Sequence, residues 1–212
     1  MKLEILAPVG GMESLYAAVR AGADAVYFGA QDFNARRNAD NFDDIGLKQA
    51  VAYCKTNGVC CYLTLNTLVK DDERAAAVQL AAKAYAYGID GVILQDLGLA
   101  RLLHMALPQL VLHGSTQLSI HSPAALPLLK ELGFRRIVTA REMSEAELAA
   151  FCQEAAALGI EVEAFVHGAL CMCLSGQCYF SAHLGGRSAN RGLCAGTCRL
   201  PFSVRRDSPH MP

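Results

Sequence analysis

Five cysteines, Cys171, Cys173, Cys178, Cys194 and Cys198, crowd into GALCMCLSGQC and NRGLCAGTC, out of nine in the 212-residue chain. Thiolates are soft ligands that suit zinc or an iron–sulfur cluster. Structural zinc usually shows paired C-x-x-C knuckles. Here Cys178 follows Cys171 by seven residues and three residues separate Cys194 from Cys198, a spacing that favours a cluster over a zinc ribbon. The segment between the two groups, YFSAHLGGRSANRG, is rich in Gly, Ser and Asn and reads as a loop folded around a ligand. Unliganded thiols in a loop are the plainer alternative. Cys54, Cys60, Cys61 and Cys152 fall inside helical or strand patterns and read as small core hydrophobes.

Other polar residues stand where strands should end. They include Asn34, Asn66, Gln95-Asp96, His113 with Ser115-Thr116-Gln117, Arg141-Glu142, and Glu163 with His167. Gln95-Asp96 and Arg141-Glu142 also fit helix caps or structural ion pairs. His113 and His167 suit a base, a metal ligand or an RNA-contacting donor, and equally a histidine hydrogen-bonded at a rim. Glu163 alternates with apolar neighbours, so it is expected to point inward and to need a cation, with Arg141 the expected partner. No H-E-x-x-H helix and no G-x-S-x-G elbow is present, although a Cys171–His167 nucleophile pair stays open.

The elements that must position these residues alternate along the chain. Strands are expected at 4–8, 25–29, 59–66, 91–95, 111–114, 136–139 and 161–167. Helices are expected at 12–21, 45–56, 72–87, 98–107, 123–132 and 144–158. Glycines at 22, 58, 88, 133 and 159 close helices, and Ser144 with Glu147 forms a capping box. This is the pattern of an α/β, TIM-like β/α barrel whose active site lies at the strand C-terminal ends. A closed barrel needs eight strands, so seven predict an incomplete one and a partial gene product. An open doubly wound sheet is the rival, without a GxGxxG loop after its first strand. The expected division is a barrel domain at 1–168, a cysteine-rich cluster-binding loop at 169–200 and an irregular tail at 201–212.

Composition narrows the setting. The chain is 53% hydrophobic with a net charge of −1, so no global basic field draws nucleic acid, though arginines gather in the second half. The N-terminus is too short and acidic before Ile5 for a signal peptide, and no apolar run approaches the ~18 residues of a membrane helix. A cytoplasmic location is expected, where disulfides are rare.

The strings LAPVGGMESLYAAVRAGADAVYFG, HGSTQLSIH (113–121), TAREMS (139–144), EVEAFVHGALCMCLSGQCYFS (161–181) and GRSANRGLCAGTCRLPF together resemble the collagenase-like peptidase family U32 over nearly the whole chain. The resemblance implies a 4Fe–4S cluster and hydroxylation of a ubiquinone precursor, a tRNA uridine or a 23S rRNA cytidine. RNA would then be the partner and prephenate a small carboxylate co-substrate. CRLPF is more similar to the rRNA branch. Cluster ligands carry over to Cys171, Cys178 and Cys194, with the family's fourth cysteine expected further downstream. Cys198 matches a cysteine that is not the usual ligand, and Cys173 is an extra. Some members are described as collagenases, so an endopeptidase is the alternative, and a non-catalytic iron–sulfur scaffold is a third. His113, Arg141, Glu163 and His167 are the expected catalytic set at the mouth.

Overall fold

The computed structural model describes residues 3–37 and 40–203. Seven strands pair in chain order and all in parallel: β1 (Leu6–Pro8), β2 (Ala25–Gly29), β3 (Cys60–Leu65), β4 (Gly91–Leu94), β5 (Leu112–Gly114), β6 (Phe134–Val138) and β7 (Glu161–Glu163). Helices α1 (Met12–Arg20), α2 (Asp44–Thr56), α3 (Arg74–Tyr87), α4 (Leu97–Ala106), α5 (Leu126–Glu131) and α6 (Glu145–Ala157) fill the crossovers, and α7 (Phe180–Gly185) lies in the cysteine segment. The result is the expected incomplete barrel, a curled sheet with β1 and β7 as its two edges.

Period-two alternation explains the layers. On β3, Cys61, Leu63 and Leu65 face the helices and join Leu47, Val51 and Ala81 in the main core. Cys60 and Tyr62 face inward and pack with Ala25, Ile93, Leu6 and Tyr27 in a smaller inner cluster. Caps fix the helix starts. Asp43 Oδ1 accepts from Gly46 N–H at 2.7 Å, Asp96 Oδ1 from Leu99 N–H at 2.9 Å, and Ser144 with Glu147 forms the expected capping box. Helix α3 ends on Gly88 at φ 101°, a conformation that costs a side chain.

Two expectations change. β7 is three residues long rather than seven. Thr139 N–H still donates to Glu163 O, but the next N–H on that side, that of Arg141, donates to Ser175 Oγ, so β6 offers nothing further for β7 to pair with. Cys152, expected in the core, is exposed, because α6 buries Phe151 and Ala155 instead. Of the expected tail at 201–212, residues 204–212 lie outside the described residues. No described helix is long and apolar enough to cross a membrane.

Candidate functional site

Parallel strands place their C-terminal ends on one face, and a cavity of about 330 Å³ opens there. Tyr27, Asn66, Arg141 and Glu163 reach it from strands or the loops that follow them. Arg36 joins from the β2–α2 loop, with its guanidinium 5.9 Å from the centre of the Tyr27 ring. Short-range bonds between loops stiffen the rim. Asn66 Oδ1 accepts from Ala35 N–H at 2.9 Å, and Gln117 Nε2 donates to Asn66 O at 3.1 Å.

The cysteine segment closes the cavity from above. Cys171, Cys178 and Cys194 all line it, and Gly196 N–H donates to Cys194 Sγ at 3.4 Å. Cys173 donates its thiol to Gln177 O at 3.4 Å. Among the described residues no three His, Cys, Asp or Glu side chains sit close enough to hold a single metal ion.

Two anchors strap this segment to the barrel. At its start, fully buried Ser175 accepts on its hydroxyl from Arg141 N–H at 3.2 Å and Arg141 Nε–H at 3.0 Å. Its own backbone N–H and hydroxyl donate to Glu142 Oε1 at 2.8 and 3.1 Å. Further on, Arg191 grips Glu73 with two bonds of 2.6 and 2.9 Å and donates to Leu68 O. Those bonds hold the Glu73 carboxyl down to about 2. Arg191 is therefore engaged within the protein.

The expected catalytic residues separate. Arg141 and Glu163 line the cavity. His113 is buried in the barrel interior, its ring 4.5 Å from that of Tyr62, and burial followed by the Arg136 charge pulls its pKa down to about 3. His167 is exposed beyond β7. The partner expected for Glu163 needs correction. Arg141 is tied to Ser175, and the cation that reaches Glu163 is Arg136, whose Nη1 lies 3.7 Å from Oε2. A register shift between Leu112 and His113 is the reason. Leu112 pairs Phe134 on the outer face, one residue is taken up, and Arg136 pairs His113 on the inner face. Ser175 and Arg36 were not singled out from the sequence. The Ser-Gly step inside LSGQC is the one local signal for Ser175.

A profile of the family described as Peptidase family U32 matches residues 10–210. The chain belongs to peptidase family U32. Among curated proteins, the U32 chain is 40% identical over 207 residues to a 23S rRNA 5-hydroxycytidine C2501 synthase of Escherichia coli K12, covering 97% of this chain and 30% of that one. It is 34% identical to tRNA hydroxylation protein P1 of Bacillus subtilis 168, covering 96% and 47%. It is 37% identical to a collagenase of Porphyromonas gingivalis W83, covering 95% and 50%. The chain thus spans half or less of these relatives' length. Among solved structures, the U32 peptidase Mk0906 superposes with a TM-score of 0.64 at 15% identity, over 77% of this chain and 68% of that one. A Parabacteroides distasonis glycerophosphodiester phosphodiesterase does so at 0.56 and 13%, over 78% and 85%. At such identities these two likenesses speak for the fold alone.

Proposed function

We propose that this U32 chain forms the catalytic cavity of an enzyme that hydroxylates a base in RNA, a 23S rRNA cytidine or a tRNA uridine. The supporting observation is that three thiols and two guanidinium groups, those of Cys171, Cys178, Cys194, Arg36 and Arg141, line one cavity. The relatives named for rRNA and tRNA hydroxylation point the same way. Three separated soft donors around a space of this size, one already accepting a backbone N–H, fit a 4Fe–4S cluster better than a single ion. Cys171, Cys178 and Cys194 would hold it, and the resemblance puts the fourth ligand downstream. When bound, such a cluster supplies single-electron chemistry.

The chain's own residues bind and orient. Arg141, immobilised by Ser175, presents a guanidinium that can fork onto a carboxylate of a small co-substrate such as prephenate. Arg36 offers a second cation from the opposite loop. Phe165 and Leu174 add apolar surface to the cavity wall. RNA phosphates would meet exposed arginines such as Arg187, while Arg191 is spent on Glu73.

Deletion of the gene followed by mass spectrometry of rRNA and tRNA tests the reading. The expected result is loss of one hydroxylated base, restored by the intact gene and not by Cys178→Ala. Unchanged RNA would sink it. The collagenase-named relative supports an endopeptidase as the second reading. Collagen cleavage by the purified protein, abolished by Cys171→Ala, would favour that one.

A further inference from the structure

Arg136 enters the barrel interior from β6 and meets three carboxylates. Its Nη1 lies 2.6 Å from Glu4 Oε1 and its Nη2 2.6 Å from Glu161 Oε2, while Glu163 Oε2 stands off at 3.7 Å. A guanidinium carries one charge, and its close positions are taken. With all three acids ionised, the cluster would hold two excess negative charges beside the Tyr62 ring, which lies 5.3 Å from the guanidinium. Like charges at close range keep one acid protonated, and the member with the least solvent yields first. The Glu163 side chain is 18% exposed, against 33% for Glu4 and 64% for Glu161. Its Oε2 is buried without a hydrogen-bond partner. Glu163 is the acid that geometry leaves uncompensated, and it also lines the cavity.

We propose that Glu163 keeps its proton up to about neutral pH and, in that neutral form, offers its O–H as a hydrogen bond to an oxygen acceptor, a carboxylate or carbonyl, of the ligand in this cavity. The reading of the site as a small-carboxylate pocket supplies the ligand, while the protonation state stands on the Arg136 cluster alone. The charged groups around Glu163 come from several elements. Arg136 faces it from β6 and Glu4 from the segment before β1. Tyr27 approaches from β2 with Arg36 over its ring, and Arg141 shares the cavity from the loop after β6. Burial outweighs the attraction of Arg136, is reinforced by Glu4, and pushes the carboxyl up to about 7. A neutral acid donates to an anionic oxygen where a carboxylate would repel it, so ligand and proton should bind together.

Infrared difference spectroscopy of the intact protein between mildly acidic and mildly alkaline pH tests the first half. A protonated-carboxyl carbonyl band that vanishes with a midpoint near neutrality, is missing from Glu163→Gln and returns in Glu163→Asp is the expected result. No such band, or its persistence in Glu163→Gln, overturns the proposal. Calorimetric titration with prephenate tests the second half. Wild-type affinity should fall about tenfold per pH unit above the midpoint. Glu163→Gln should bind without that slope, because its amide N–H still donates. An equal slope in both proteins assigns the proton elsewhere and overturns the donor role. If the band is present and prephenate binds at no pH, the neutral acid stands and the co-substrate proposed above falls. Matching thermal midpoints of wild type and variant exclude misfolding as the cause.

Discussion

Ser175 joins chain segments that the sequence keeps far apart. Its hydroxyl accepts from Arg141 and donates to Glu142, both more than thirty residues away. Ser175→Ala would strand the half-buried Arg141 donors, at a cost of about 1 kcal/mol. Urea unfolding should show that loss, with weaker binding of any carboxylate held by Arg141. His113 makes a second prediction. Its folded pKa, about 3, lies below the usual histidine value. The unfolded chain takes up a proton below about pH 6.5 while the folded protein does not, so the stability present above that pH is lost as pH falls towards the folded value, by up to about 1.4 kcal/mol per unit. Glu163 has the opposite sign. Its raised pKa contributes stability that is full below the unfolded value and lost as pH rises through about 7. His113→Phe, which keeps a ring against Tyr62, should therefore abolish the His113 share of the acid-side loss. Denaturant titrations between about pH 5.5 and pH 6.5, above the range where paired carboxylates such as Glu73 begin to cost stability, should then show stability rising as pH falls, the slope of Glu163.

At the scale of elements, the cysteine segment is a strap pinned by Ser175 near one end and Arg191 near the other. Gly176, at φ 74°, lies against the Gln117 carbonyl so closely that a Cβ would overlap it. Gly176→Ala should lift the strap off the end of β5, with Cys178 carried along, and leave the barrel strands paired. Far-UV circular dichroism should be unchanged while, on the cluster reading proposed above, iron incorporated per chain on anaerobic reconstitution drops severalfold. Much of this architecture was legible beforehand. The strands could be read because their outer positions, such as Cys61, Leu63 and Leu65, are uniformly apolar. That Cys171, Cys178 and Cys194 gather at one place could be read because thiol spacing is a local property. Arg136 could not, since FRRIV holds two adjacent arginines and the irregularity that turns the second inward leaves no mark in composition. β7 was read too long for a related reason. The residues after Glu163, Ala164, Phe165 and Val166, continue as an apolar run, but the hydrogen-bonding partner strand has already turned away. Helix α7 went unread because six residues between glycine-rich stretches carry too little periodicity.

For the molecule as a whole, the open seam of the sheet is the structural problem, and Arg136 is what spans it. Glu4 precedes the first edge strand and Glu161 begins the last, so one guanidinium ties both edges through the barrel interior. Its aliphatic stem and planar head also cover the Tyr62 ring, which a lysine ammonium would do less well. Arg136→Met keeps an apolar stem of similar length and removes the charge, leaving the Glu4 and Glu161 carboxylates to repel one another beside a protonated Glu163. The loss should be about 3 kcal/mol, at the low end for a broken buried pair because Glu4 and Glu161 keep some solvent. Hydrogen exchange should locate it, with amides of β1 and β7 losing protection before those of β3 and β4. Adding Glu4→Gln and Glu161→Gln to Arg136→Met separates repulsion from lost tethering. If stranded charge dominates, the triple variant regains most of the stability in denaturant titration. If the clasp itself holds the edges, stability stays low and the edge strands still exchange first.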